Sequence, residues 1–386
     1  YTTLFRSTPY SEALKGSGNV TPKYDKGIDV YKDLLRQIDT GIALIQGADV
    51  SSSGPNKTIR TDDVMFGDKI FGTTNTEAAM KTRWSQFGNT LKLRLLVHLM
   101  NGGVGSNTAG TVGTPSTTVP GIDIPAEIAI IENEGSGFLG NGLNAQVNPG
   151  YATDKRNPFY NLYVADNNGT ATANSVYYKA NSYAIGYYDY NGDPREARFY
   201  KAGSQGLRGV QYGLLPVTEN AAATLAGIGD GITRALDAPQ WIFSAAESYF
   251  LQAEAMQRGF MSGDAKATMI NGITESFSML GASGVATYLS NNAGYADVDY
   301  DAVSRFGGAP GGLFTIISQK YFALNSIAPY EVYTDYRRCD FSSTKKHFAY
   351  GSSVNYDEGP AISVYPTVTP GTEIPTRLLY PQAEYL

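Results

Sequence analysis

The chain has 386 residues, of which 42% are hydrophobic and 17% are charged, and its formal net charge is −6 at pH 7. This composition predicts a globular protein with a large core, and it excludes a disordered chain or a coiled coil. The acidic balance, with no basic run longer than two residues, argues against nucleic-acid binding because no basic patch can displace counterions from phosphates.

The cysteine content and the apolar runs restrict the class of protein further. The single cysteine, Cys339, excludes an internal disulfide bond and is interpreted as a buried thiol. No apolar run approaches the roughly 18 residues that a membrane-spanning helix needs. The chain opens without the charged and apolar regions of a signal peptide. These features leave two alternatives, a cytoplasmic protein or a chain whose beginning has been lost.

The first hundred residues predict two amphipathic helices. In the first, apolar residues recur every four positions from Val30 to Ile42. The second is predicted over residues 76–100, where an apolar stripe runs from Trp84 to Leu99 at helical spacing. Further leucines beside this stripe predict that the second helix is buried on more than one side.

The middle of the chain, residues 101–235, predicts a loop-rich insertion. Residues 101–119 are almost entirely small and polar, residues 125–132 predict a short helix, and residues 135–235 show little helical periodicity. A long irregular stretch within a compact protein is typical of a functional region. It is also rich in tyrosine, whose ring and hydroxyl suit recognition at low entropic cost.

Helical hairpins are predicted to follow. Periodic apolar residues predict a helix from Gln240 to a left-handed cap at Gly259, and a second from Asp264 that Gly281 ends. A third pair is predicted over residues 313–325 and 329–340. These pairs have about tetratricopeptide size, although that repeat's consensus is absent. A single domain is therefore predicted, with helices over 1–100, the insertion over 101–235, hairpins over 236–345 and an extended tail over 346–386.

Catalytic and metal-binding motifs are not found in the sequence. It lacks a nucleophile elbow, a zinc-protease motif and a phosphate loop, and His98 is interpreted as a core residue rather than a base. Residues 189–193 place oxygens at alternate positions as calcium loops do, but Pro194 stands where such a loop needs Gly, so a polar turn is favoured. Neither a metal nor a cofactor is predicted. A carboxylate pair such as Glu132 and Glu134 has little support, yet paired carboxylates elsewhere stay open because sequence does not reveal their pairing.

Several motifs occur in one order along the whole chain. They are residues 8–14 (TPYSEAL), 83–94 (RWSQFGNTLKLR), 193–195 (DPR), 246–255 (AESYFLQAEA), 317–324 (ISQKYFAL), 331–338 (EVYTDYRR) and 377–384 (RLLYPQAE). Together they resemble the pattern of SusD-like outer-membrane nutrient-binding proteins. Thr90 and Ser318 are mild departures, since the family commonly has Ser and Glu there.

The motifs themselves are interpreted as scaffold. Glu247 and Glu254 are seven residues apart and therefore share a helix face. Arg94, Arg337 and Arg338 are expected to pair with such carboxylates where helices meet. We expect Arg337→Ala to lower stability and leave ligand specificity unchanged.

The resemblance implies a mainly α fold, a tetratricopeptide-like superhelix whose loops carry the ligand site. It also implies a non-enzymatic, lipid-anchored protein on the extracellular face of the outer membrane, which captures a glycan or a peptide and delivers it to a SusC-like TonB-dependent barrel. Relatives have an acylated cysteine and further helices before the first motif, so the resemblance implies that this chain lacks its N-terminal portion.

The ligand residues cannot be carried over from the family by motif, so they are predicted from residue type. The predicted glycan-binding residues are Tyr160, Asn161, Tyr163, Tyr177, Tyr178, Tyr183, Tyr187 and Tyr188. Tyrosine rings stack on sugars, and amide and hydroxyl groups bond to them. The alternatives are that these rings only pack within the insertion, that the protein is a glycan-degrading hydrolase, or that it is a structural surface protein.

Overall fold

The computed structural model describes residues 7–51, 53–55, 59–72, 74–100, 118–119, 121–210, 221–302 and 312–338. Outside these residues lie 101–117 of the predicted loop over 101–119, Cys339, His347, the tail over 346–386 and the side chain of Arg337. The architecture is mainly α and tetratricopeptide-like, as predicted. Strands within the described residues form only two-stranded antiparallel pairs.

The N-terminal part contains two long helices. Strand β1 (Ser7–Pro9) pairs with β2 (Tyr24–Lys26), and α1 (Gly27–Gly47), α2 (Ile59–Asp62), α3 (Asp68–Phe71) and α4 (Glu77–Leu99) follow. Strand β3 (Thr118–Val119) pairs with β4 (Ile122–Asp123), which leads into α5 (Ile124–Glu134). The predicted helices over 76–100 and 125–132 are confirmed, and α1 extends the first predicted helix at both ends.

The part of the insertion over residues 135–235 contains more regular structure than its sequence predicts. Its elements are β5 (Ala145–Val147), α6 (Pro158–Tyr163), α7 (Ala173–Tyr177), α8 (Ser182–Tyr190), α9 (Glu196–Phe199), β6 (Tyr200–Lys201), β7 (Gly227–Ile228) and α10 (Asp230–Thr233). These helices have four to nine residues, so most are too short to show an apolar repeat.

The C-terminal helices match the predicted hairpins. Strand β8 (Gln240–Phe243) precedes α11 (Ala245–Gln257), α12 (Ala265–Leu280), α13 (Val285–Asn291), α14 (Gly312–Leu324) and α15 (Pro329–Arg338). The predicted left-handed cap at Gly259 is confirmed, with a φ of 78°. Gly281 ends α12 as predicted, and its φ of 70° is also left-handed. The predicted start at Gln240 is wrong because Gln240–Phe243 pair with β5 as a strand.

Two helix pairs pack closely because a glycine lies at each contact. Helix α1 packs on α4, where a Cβ at Gly88 would come within 2.8 Å of Ile42. Helix α11 packs on α12, where a Cβ at Gly272 would come within 3.1 Å of the Phe250 ring. A glycine inside a helix costs about 1 kcal/mol relative to alanine, and here close packing offsets that cost.

The 83–94 motif on α4 holds the segment that follows α5. Gln86 Nε2 donates to the Ser136 carbonyl (3.1 Å), and Asn89 Nδ2 donates to Glu134 Oε2 (2.7 Å). Thr90 Oγ1 accepts from the Leu139 amide at 3.0 Å. A serine hydroxyl would accept the same bond, which explains why the departure from the family pattern at Thr90 is mild.

The DPR turn anchors the insertion to the C-terminal helices. Arg195 is fully buried and binds the Asp193 carboxylate through both Nε and Nη2, at 3.0 and 2.6 Å. Its guanidinium also donates to Ser276 on α12 (3.1 Å) and to Gln319 on α14 (3.0 Å). One arginine from the insertion therefore connects two helices of the scaffold.

A buried ionic network joins α4, α11, α14 and α15. Arg338 donates to both oxygens of Glu254 at 2.6 Å, and Arg258 donates to Glu254 at 2.8 Å. Lys320 Nζ lies 3.0 Å from the Asp335 carboxylate. The predicted scaffold role of Glu254 and Arg338 is confirmed.

The same network continues onto α4. Arg94 lies 3.3 Å from Glu247 and 3.7 Å from Glu331. His98 Nε2 lies 3.0 Å from the Glu331 carboxylate, so His98 is a partnered scaffold residue as predicted. Burial lowers the pKa of His98, against the opposing effect of Glu331.

Glu247 makes the stability of this network dependent on pH. Burial raises its pKa from 4.5 to about 7 despite Arg94. Between these values the native state holds a proton that the unfolded state has lost, so stability falls as pH rises from about 4.5 to 7. Relative to Glu247→Gln, we expect the wild type to lose about 3 kcal/mol over this window. Urea denaturation at pH 5 and pH 7.5 measures the loss, and Glu77→Gln on the surface of α4 is the control. An equal pH response in wild type and Glu247→Gln would contradict this assignment.

Candidate functional site

The exposed tyrosines of the insertion lie on α6 and α7. Helix α6 begins at Asn157-Pro158, where Asn157 Oδ1 accepts from the amides of Phe159 and Tyr160 at 2.8 and 3.2 Å. Such an asparagine cap followed by proline favours a helix start. Asn157 also donates to the Ala238 carbonyl at 2.8 Å, which ties α6 to the segment before β8.

Helix α7 returns beside α6 after a tight turn. The amide and the hydroxyl of Thr172 donate to the carbonyls of Val164 and Leu162, at 3.1 and 2.9 Å. Asn174 Nδ2 also donates to the Leu162 carbonyl at 3.2 Å. These bonds fix the spacing of α6 and α7.

The tyrosine patch is the surface that consists of Leu162, Tyr163, Val176, Tyr177 and Tyr178. Tyr177 is 78% exposed and Tyr178 is 53% exposed, while Leu162 and Val176 are about half exposed. The rings of Tyr163 and Tyr178 meet edge to face with centroids 5.3 Å apart. Adjacent exposed rings and aliphatic side chains are unusual on a surface and indicate a binding site.

The predicted ligand residues divide into two groups. Tyr160 and Tyr163 are half-buried on α6 and Asn161 is exposed there, and Tyr177 and Tyr178 are exposed on and after α7. The structure thus brings these five residues together on two adjacent short helices.

The other three predicted residues do not reach the surface. Tyr183, Tyr187 and Tyr188 are 6%, 2% and 0% exposed on α8 and belong to the core. Tyr187 stacks on Phe322 of α14 with centroids 4.6 Å apart, and the Tyr188 hydroxyl donates to the Phe322 carbonyl at 2.8 Å. Their prediction as direct ligand contacts is corrected, because α8 packs them against α14.

Trp241 is a further aromatic residue near the start of α6, next to Gln240, which Asn157 contacts; it was not predicted as a ligand residue. It lies on β8, and the Arg234 guanidinium stacks over its ring at 3.7 Å. Arg234 has a φ of 47°, which is strained for a residue with a side chain, and burial lowers its pKa to about 10. The only signal for this position in the sequence is that the chain has just two tryptophans, of which Trp241 is one.

The patch can bind a ligand by stacking and by hydrogen bonding. Its exposed rings offer apolar faces, Asn161 offers an amide, and the Arg156 guanidinium lies 5.9 Å from the Tyr160 ring centroid.

Among the described residues no group of three or more histidine, cysteine or acidic side chains is placed to hold a metal ion. In the same part of the chain, no helix is both long and apolar enough to cross a membrane.

Two carboxylates considered above, Glu134 for catalysis and Asp193 for a calcium loop, have other partners. Glu134 accepts from Asn89 and from the Ser136 hydroxyl, at 2.7 Å each. In the turn over 189–193, Asp193 is bound by Arg195 and is therefore not a free oxygen ligand. Both groups serve the scaffold.

Solved structures share the fold of this chain. A SusD homolog from Bacteroides fragilis matches with a TM-score of 0.66 and 20% identity, covering 98% of this chain and 73% of its own. A second SusD homolog from the same organism matches with a TM-score of 0.63 and 23% identity, over 99% of this chain and 73% of its own. A chitin-binding SusD homolog from Flavobacterium johnsoniae matches with a TM-score of 0.63 and 22% identity, over 88% and 65%.

The sequence also matches a family model. No match was found among curated proteins. The SusD-like model, described as "Starch-binding associating with outer membrane", matches residues 1–366, which is most of the 386-residue chain. The chain therefore belongs to the SusD-like family, which is associated with the outer membrane.

Proposed function

We propose that this protein is a non-enzymatic cell-surface receptor that captures a glycan on the tyrosine patch. It then delivers the glycan to a SusC-like TonB-dependent transporter, while a lipid anchor holds it on the extracellular face of the outer membrane. The observation that carries the proposal is the exposure of Tyr177 and Tyr178 beside Tyr163. Peptide is the second ligand class, since exposed rings also suit peptide side chains.

Sugar rings fit the chemistry of the patch. The apolar faces of pyranose rings pack on aromatic rings, and their hydroxyls bond to amides such as Asn161. Helices α6 and α7 are fixed to each other by hydrogen bonds, so little conformational entropy is lost when a ligand binds.

Truncating the two exposed rings should weaken glycan binding. Each aromatic contact contributes about 0.5–1.5 kcal/mol, so the double variant Tyr177→Ala/Tyr178→Ala is expected to raise Kd about tenfold. An array of starch, chitin and other oligosaccharides with short peptides first identifies the ligand. Titration calorimetry with the best ligand then compares the variants.

The matched control is Tyr330→Ala, which removes an 83% exposed tyrosine from α15. The control should bind as the wild type does, and all variants should keep the wild-type melting temperature. Unchanged affinity in the double variant would remove the patch from the proposal. The recovered glycan should be intact after prolonged incubation, and accumulation of shorter products would favour the hydrolase alternative.

A further inference from the structure

A second concave site lies between α3, α4 and the segment before β5. This cleft of about 460 Å3 is lined by Phe71 and Arg83 and by four amide side chains, those of Gln86, Asn141, Asn144 and Gln146. It shares no residue with the tyrosine patch. Its volume is sufficient for a small ligand.

Arg83 is held in a fixed orientation in this cleft. Its guanidinium lies 3.7 Å from the centroid of the Phe71 ring, and its Nη1 donates to Asn75 Oδ1 at 2.7 Å. Asn75 is itself buried and donates to the Phe66 carbonyl at 3.0 Å. One face and one edge of the guanidinium are thus occupied, while the Nε–Nη2 edge has no hydrogen-bond partner among the described residues.

The charge of Arg83 has no counterion within the described part of the chain. The carboxylate of Glu275 accepts from the amide of Gly142, a residue of the cleft lining, at 2.8 Å. No ion pair joins it or another described carboxylate to Arg83. Partial burial lowers the pKa of Arg83, and no carboxylate opposes that effect. A partly desolvated cation without an anion favours an anionic ligand.

The amides are positioned to complete such a site. Asn144 Oδ1 accepts from the Ala245 amide at 2.8 Å, and its Nδ2 donates one hydrogen to the Gly142 carbonyl at 3.4 Å, so its second N–H is left for a ligand. Asn141 Oδ1 accepts from the Tyr249 hydroxyl at 3.1 Å. Gln146 has no side-chain hydrogen bond within the described residues. Donors of this kind can bind carboxylate oxygens and neighbouring hydroxyls.

We propose that this cleft binds a small ligand through a carboxylate, which pairs with the Nε–Nη2 edge of Arg83 and with the amides of Asn144 and Gln146. A carboxylate is favoured over a tetrahedral anion because two parallel N–H groups match its planar pair of oxygens. An acidic sugar and a peptide terminus share this chemistry.

Titration calorimetry with four probes tests the inference on the full chain. The probes are galacturonic acid, its neutral counterpart galactose, the dipeptide glycylglycine and inorganic sulfate. Galacturonic acid is expected to bind at least tenfold more tightly than galactose. If glycylglycine binds as tightly as galacturonic acid or more tightly, the natural ligand is assigned to the peptides. If it binds more weakly, the natural ligand is assigned to the acidic sugars. Both outcomes support carboxylate binding.

Variants assign the binding to the cleft. Arg83→Gln should weaken binding of the carboxylate probe at least tenfold, and Gln146→Ala should weaken it a few-fold. Arg83→Lys keeps the charge but loses the paired donors, so it should also bind more weakly. Arg36→Gln removes an exposed arginine on α1 and should have no effect. If Arg83→Gln does not fold, Arg83→Lys and Gln146→Ala decide.

Three results would overturn the inference. They are equal affinity for galactose, tighter binding of sulfate than of either carboxylate, and carboxylate binding that is absent or unchanged in the cleft variants. The inference is independent of the proposed glycan patch, because Tyr177→Ala/Tyr178→Ala should leave binding at the cleft unchanged.

Discussion

Arg195→Ala is expected to lower the free energy of unfolding by about 3–5 kcal/mol. The variant leaves the Asp193 carboxylate buried without its cation and removes donors to Ser276 and Gln319. It also removes a guanidinium that packs against the rings of Phe277 and Phe322. The insertion would then lose the hydrogen bonds of Arg195 to α12 and α14, while the contacts of Tyr187 and Tyr188 with Phe322 remain.

Urea denaturation followed by circular dichroism measures this loss. Arg36→Ala is the matched control, because its partner Asp33 is on the surface and such pairs contribute about 0–1 kcal/mol. The double variant Asp193→Asn/Arg195→Met removes both charges and should be more stable than Arg195→Ala alone. A loss below 1 kcal/mol in Arg195→Ala would show that the pair does not hold the insertion in place.

Glu254→Ala is expected to destabilise the protein by a similar amount, about 3–5 kcal/mol. It leaves the guanidinium groups of Arg258 and Arg338 buried against each other, with Lys320 nearby. Burial alone would raise the pKa of Glu254, but Arg338 and Arg258 outweigh it and hold that pKa well below 4.5.

The decrease in the free energy of unfolding at acidic pH, here called the acid limb, provides a second test of the role of Glu254. A carboxyl whose pKa is lower in the native state stabilises it above pH 4.5, and this contribution is lost as pH falls through the native pKa. The wild type should therefore lose more stability below pH 4.5 than Glu254→Ala does. Glu77→Ala, which breaks a surface pair with Lys81 on α4, should retain the wild-type acid limb. Identical acid limbs in wild type and Glu254→Ala would contradict the assignment.

The long helices could be predicted because their physics is local. The apolar stripe on α4 and the glycines after α11 and α12 each lie within one continuous segment of the sequence. The structure confirms these helices. Helix α13 and the short helices of the insertion were not predicted. Their caps and turns, such as Asn157 at the start of α6, determine them more than any repeat does.

The candidate site could be predicted only in part. Tyrosine enrichment predicted a ligand surface in the insertion, and Tyr177 and Tyr178 are exposed there. Composition does not distinguish an exposed ring from a buried one, so Tyr187 and Tyr188 were assigned to the ligand surface although α14 covers them. The cleft around Arg83 was not predicted, because its residues come from segments about 60 residues apart in sequence.

The sequence by itself determined the helical hairpins, the family and the residues that form the scaffold. These properties depend on local periodicity and on motifs such as the one at 331–338. Such a motif is recognised from consecutive residues, without knowledge of the residues that it contacts in the fold. Only the tertiary structure decided which carboxylate meets which arginine and which tyrosines face solvent. Both depend on helices distant in sequence, such as α8 and α14, whose contact buries one face of each. Burial and ion pairing are properties of that contact, so no single segment specifies them.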